Sequence, residues 1–242
     1  MQSNNPILTR VETQADYSQP MTVQGAVQKS VLLTIIAAVI GVGVFVYSFM
    51  TLNIGLAQTA AIVGAIGGFI LALITTFKPE TARTLAIPYA LFEGAFLGGI
   101  SVIFQVKYPG VPLQALLATF VTSLVMFGLY RFKIIRATEK FKAIVMSATI
   151  AIALVFVVQL IMRLAFGSSI PYVFESNWLG LGFAAFVAVI ASLNLILDFD
   201  LIESAAAQRA PKAMEWLCGI ALLATLVWMY YSFLRLLGLS RD

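Results

Sequence analysis

Seven times between Val31 and Leu237 the chain returns to a predominantly apolar run of about twenty residues, and few architectures can absorb that. The runs cover 31–50, 56–77, 85–104, 113–130, 143–163, 179–200 and 216–237. A helix rises about 1.5 Å per residue, so each run is long enough to cross roughly 30 Å of hydrocarbon. A soluble core is excluded by composition: 61% of the 242 residues are hydrophobic and 11% charged, with a mean hydropathy of +0.97. Soluble domains hold about 45–50% apolar and about 25% charged residues. The expectation is an all-α polytopic membrane protein, one bundle of seven transmembrane helices in a lipid bilayer. No strand alternation or repeat interrupts the pattern, and the short connections point to one domain over 29–242. Residues 1–28 are polar, with Pro6 and Pro20, and read as a disordered tail without the charged and apolar regions of a cleaved signal.

Basic residues set the orientation. Arg10, Lys29, Lys78, Arg83, Arg131, Lys133, Arg136, Lys140, Lys142, Arg209 and Lys212 fall on one side of the seven runs, and Lys107, Arg163, Arg235 and Arg241 on the other. Eleven against four, under the positive-inside rule, predicts a cytoplasmic N-terminus and an outer C-terminus. The net charge of +4 is thus spent on topology, and no nucleic-acid partner is expected. Arg163 and Arg235, near outer ends, are expected to snorkel to the interface. Trp178, Trp216, Trp228, Tyr172, Tyr230 and Tyr231 supply candidates for the interfacial belt.

Absences narrow the chemistry. With no histidine there is no His-ligated zinc or haem, no Ser-His pair and no His proton relay. A single cysteine, Cys218, excludes an intrachain disulfide and reads as a buried, inert thiol. The seventh run has no lysine to hold retinal, and no GxGD pattern marks an intramembrane aspartyl protease. The chain is therefore not expected to be an enzyme or to carry a cofactor or a stable metal, and any proton chemistry runs on carboxylates.

Few carboxylates lie at membrane depth. Glu93, in YALFEGAFLGGIS, sits about eight residues into the third run, roughly 12 Å from its end. An isolated charge there is expensive, so Glu93 is protonated, paired or facing a wet cavity. The sixth run ends in ASLNLILDFDLIESAAAQR. There Asn194 and Asp198 are i,i+4 on one face, while Asp200 and Glu203 are i,i+3 on another. The first face is expected to point into the bundle. The second is expected to meet the following loop, where Arg209 and Lys212 would neutralise it. Glu93, Asp198 and Asn194 fall in the same half of the membrane and are expected to form a polar cluster. Carboxylates are hard oxygen ligands, suited to protons and to transient Ca²⁺ at Asp198 and Glu93. Two GxxxG steps, Gly64–Gly68 and Gly94–Gly98, predict close helix packing.

The ordered set YALFEGAFLGGIS, LNLILDFDLIE and EWLCGIALLATLVWMYYSFLRLL resembles the corresponding spans of the Bax inhibitor-1 (YccA-like) family, bacterial branch, over roughly residues 25–240. The resemblance implies seven helices with the last one central, and a calcium leak gated by protonation. It implies a sensor made of two aspartates, one ending the sixth helix and one in the seventh. Asp198 matches the first. At the second the chain departs from the pattern and reads VWMYY. The functional expectation is a pH-sensitive calcium (cation) leak channel, with Asp198, Glu93 and Asn194 on the ion path and Asp200 and Glu203 secondary. The alternative is a non-conducting regulator of a membrane-bound quality-control protease, acting through its tail and helix contacts.

Overall fold

The structure, a computed structural model, describes residues 20–168, 170–171 and 173–241. The expectations for Tyr172, Arg10 and the rest of 1–19 fall outside these. Among the described residues seven α-helices follow one another: α1 Val23–Met50, α2 Ile54–Phe77, α3 Ala82–Lys107, α4 Val111–Arg131, α5 Glu139–Phe166, α6 Trp178–Ala207 and α7 Met214–Leu239. One 3₁₀ turn, Pro79–Thr81, precedes α3. All seven helices are long and apolar enough to cross a membrane. Each expected run lies inside one helix, and the helices extend past the runs because their caps sit further out. Thr22 caps α1 by accepting the Gly25 N–H, so residues 23–28, assigned to the tail by composition, are helical. Asn53, Thr138 and Asn177 cap α2, α5 and α6 in the same way.

Residue size, more than polarity, decides which face is inside. Ala26, Ala37, Ala57, Ala82, Ala86 and Ala90 are almost wholly buried, while Val39, Phe69, Phe120 and Ile144 stand more than 60% exposed. Lipid is as apolar as leucine, so helices gain by letting backbones approach and leaving bulk outside. Helix α3 shows this most clearly, packed between α1 and α2. A Cβ on Gly94 would lie 2.6 Å from the Ala37 carbonyl oxygen, and one on Gly98 would lie 2.5 Å from that of Gly41. Gly64 meets the α3 backbone at Phe92 and Phe96 in the same way. Both GxxxG steps are therefore packing seams.

Helix α7 is central, as the resemblance implies: it packs against α1, α3, α4 and α6, while α5 rests on α6 at the periphery. Leu223 and Val227 join Leu33, Ala86 and Tyr89 in one core cluster, and Met229 meets Ala191 and Leu195 in another. This position corrects three of the belt assignments. Tyr230 is buried with its hydroxyl 2.7 Å from Ser101 Oγ, Tyr231 packs on Phe96, and Trp228 packs between α5 and α6. Trp178 is 80% exposed at the start of α6, where a belt residue belongs. Arg163 is exposed, but Arg235 does not snorkel. Its guanidinium lies over the rings of Phe174, Phe183 and Phe156, at 4.4, 5.4 and 5.9 Å, and donates to the Val173 carbonyl at 2.8 Å. Three aromatic faces from the α5 and α6 side hold a cation that the end of α7 turns inward.

Three helices end in a left-handed residue that is not glycine. Leu52, Lys133 and Arg209 have φ of 52°, 57° and 53°. Each is the first residue past its helix cap, and the paired bonds are those of a Schellman turn: Lys133 N–H to Tyr130, Ile134 N–H to Leu129. The turn after α6 does the same, with Arg209 N–H to Ala206 and Ala210 N–H to Ala205. That reversal carries Ala210 and Pro211 to the start of α1, where Met21 N–H donates to the Ala210 carbonyl at 2.8 Å and Pro20 pairs with Pro211.

Candidate functional site

The acids converge on the end of the bundle where α1, α5 and α7 begin and α4 and α6 end. Asp198 lies about two and a half turns from the end of α6 and faces α7, where the Thr225 hydroxyl meets its carboxyl group. Its Oδ2 is buried with no hydrogen-bond partner among the described residues. Such an atom is rare, because a buried polar group without a partner forfeits its hydration. Below it on α7, Leu222, Cys218 and Glu215 continue the Thr225 stripe at helical spacing, and Cys218 is a buried free thiol as expected.

Glu215 is the residue that sequence reasoning missed. It is 1% exposed, and its Oε1 accepts the Thr22 backbone N–H at 3.1 Å and the Thr22 hydroxyl at 3.3 Å. The carboxyl group sits against Gly25, in space that any side chain at 25 would fill. A carboxylate here satisfies a free amide at the positive end of α1, so it joins the starts of α1 and α7. The available signal was an acid opening an apolar run directly after a proline-containing loop.

The expected polar cluster does not form. Asn194 turns away from the bundle interior and donates to Thr149 Oγ1 on α5 and to the Ile190 carbonyl, both at 2.9 Å. Glu93 lies on α3, which shares no packing interface with α6 because α7 occupies the space between them. Instead the Tyr89 hydroxyl, one turn earlier, donates to Glu93, and the carboxyl lies over Gly68 of α2. Glu93 is thus paired, one of the options the sequence left open. Joint Ca²⁺ ligation by Asp198 and Glu93 has no basis in this arrangement.

The second acidic face does meet a basic segment, but not the expected one. Asp200 pairs with Lys142 of α5 at 2.8 Å, and Glu203 accepts the Tyr130 hydroxyl at 2.8 Å. Arg209 and Lys212 are carried away toward α1 by the Schellman reversal, and α5 brings Lys142 alongside instead. Asp198 and Asp200 therefore differ as their 200° separation implies: one faces an apolar seam, the other a cation at the bundle's end.

No curated protein matches the chain in a sequence comparison. The family model described as Bax inhibitor 1 like, however, matches residues 5–242, nearly the whole chain. With seven membrane-length helices, a central α7 and an acid of α6 facing it, the chain belongs to the Bax inhibitor-1 like family of multi-pass membrane proteins.

Proposed function

We propose that this multi-pass protein is a pH-sensitive leak pathway for Ca²⁺ or a similar cation, controlled at the α6–α7 seam and acting without enzymatic chemistry. The observation that supports this reading is Asp198, whose buried Oδ2 has no partner among the described residues. Proton loss would place charge beside that orphan oxygen, a cost that a hydrated, parted seam removes. With no acid on α7 opposite it, Thr225 provides the facing polar group, so the titrating element is one carboxyl rather than two. Glu93, held by Tyr89 on the far side of α7, belongs to α2–α3 packing in this scheme.

The test is flux into liposomes holding the purified chain and a Ca²⁺ dye. A leak gives Ca²⁺ entry without other proteins, varying with pH. No flux at any pH from correctly folded protein overturns it. The second reading, a regulator of a membrane protease in a bacterial inner membrane, is favoured by one feature. The Glu215–Thr22 and Met21–Ala210 bonds fasten the end of the tail beside the start of α7, so a partner holding the tail would act on the central helix.

A further inference from the structure

The connection between α4 and α5 closes over a cleft of about 360 Å³, lined by Tyr130, Arg131, Lys133, Arg136, Asp200 and Glu203. That volume falls in the range of small-ligand sites, about 300–1,000 Å³. Its two carboxylates are already engaged, Asp200 by Lys142 and Glu203 by the Tyr130 hydroxyl. Its three cations are not: Arg131, Lys133 and Arg136 form no salt bridge among the described residues. Nor is the loop a loose tether. The Schellman bonds at Tyr130 and Leu129 and a Thr138 N–H bond to the Arg136 carbonyl fix its course, so the cationic side chains start from a set backbone.

We propose that this cleft binds the phosphodiester headgroup of an anionic phospholipid from the surrounding leaflet. Three cations lining one cleft and forming no salt bridge among the described residues match a phosphate, and Arg supplies paired N–H donors for its oxygens. The lipid is favoured over a soluble anion by what flanks the cations. Phe132 and Ile134 are 78% and 69% exposed beside them, at the level where the helices end. Apolar side chains alternating with basic ones suit the boundary between headgroups and acyl chains, whereas a dissolved phosphate gains nothing from them. A bound headgroup would tie the α4–α5 loop to the end of α6.

Native mass spectrometry of the full chain in detergent, titrated with phosphatidylglycerol and phosphatidylcholine, tests this independently of any flux. The wild type should retain phosphatidylglycerol with at least about tenfold preference, since each cation near such a surface contributes appreciably. The R131Q/K133Q/R136Q variant should lose that preference, and the single variant R136Q should lose part of it. The K78Q/R209Q/K212Q variant removes three cations from the same end outside the cleft and should keep it. No preference in the wild type, or equal losses in the two triple variants, overturns the proposal. So does displacement of the lipid by inorganic phosphate together with unchanged lipid retention in F132S/I134S, which would mark a soluble-anion site. Thermal melts of each variant in the same detergent show that the comparison is made on folded protein.

Discussion

Asn at position 198 would keep the size of the side chain and its contact with Thr225 while removing the group that titrates. Under the leak reading, Asp198→Asn should give liposome flux that no longer follows pH. Asp200→Asn should leave the pH response close to wild type, because Asp200 sits in an ion pair at the helix end, away from the seam. Equal responses from the two variants would reject the assignment. Glu93→Gln and Asp198→Asn should be additive, since α3 and α6 share no interface and the two acids have different partners. At Glu215 the expected readout is stability: Glu215→Leu strands the Thr22 N–H and should cost about 1–3 kcal/mol in a melt, while Glu215→Gln retains an acceptor and should cost less. Except for Glu215, at the mouth of its run, the acids were legible in the sequence because a carboxylate in an apolar run stands out. Their partners were not. Thr22, Thr225, Tyr130, Lys142 and Tyr89 are ordinary residues whose importance depends on which helices become neighbours.

At the scale of elements, the left-handed residues offer a stabilising change. Leu52 is 82% exposed with φ of 52°, so it contributes little packing and carries the steric cost of a Cβ in that conformation. Leu52→Gly should raise stability by about 1 kcal/mol, seen as a higher melting temperature in detergent; a lower one would show that Leu52 anchors the α1–α2 turn. The converse holds at the α1–α3 seam. Gly98→Val adds bulk where even a Cβ would lie 2.5 Å from the Gly41 carbonyl oxygen, and overpacking of this kind costs about 1–3 kcal/mol. The seven spans and both GxxxG steps could be read from apolar length and glycine spacing. The inward faces could not be read from hydropathy, because every face of these helices is apolar and the choice was made on volume. Arg235 misled for a related reason: its position near a helix end suggested an outward path, and the three phenylalanines that hold it come from α5, α6 and their connection.

For the whole molecule, seven crossings would leave Val23 and Leu239 on opposite sides of the bilayer. Ten of the fourteen basic residues among the described ones lie toward the side of Val23, so that side should be cytoplasmic. A reporter active only in the cytoplasm should work when fused after Glu139 and stay silent when fused after Leu239. Activity at both positions would require a different number of crossings.

The central place of α7 also has a consequence in time. Ribosomes deliver the helices in order, so the element that fills the middle of this bundle is synthesised after the other six. Helices α1 to α3 can meet through their glycine seams early, but Leu33 and Tyr89 then face lipid where Leu223 and Val227 will later sit. Thr22, Ser101 and Asp198 likewise wait for Glu215, Tyr230 and Thr225. The nascent protein therefore passes through an interval in which every earlier span is made and its polar contacts to the core are still open. Mutations that slow the docking of α7 should shorten the protein's life in the cell more than they lower the melting point of the finished fold.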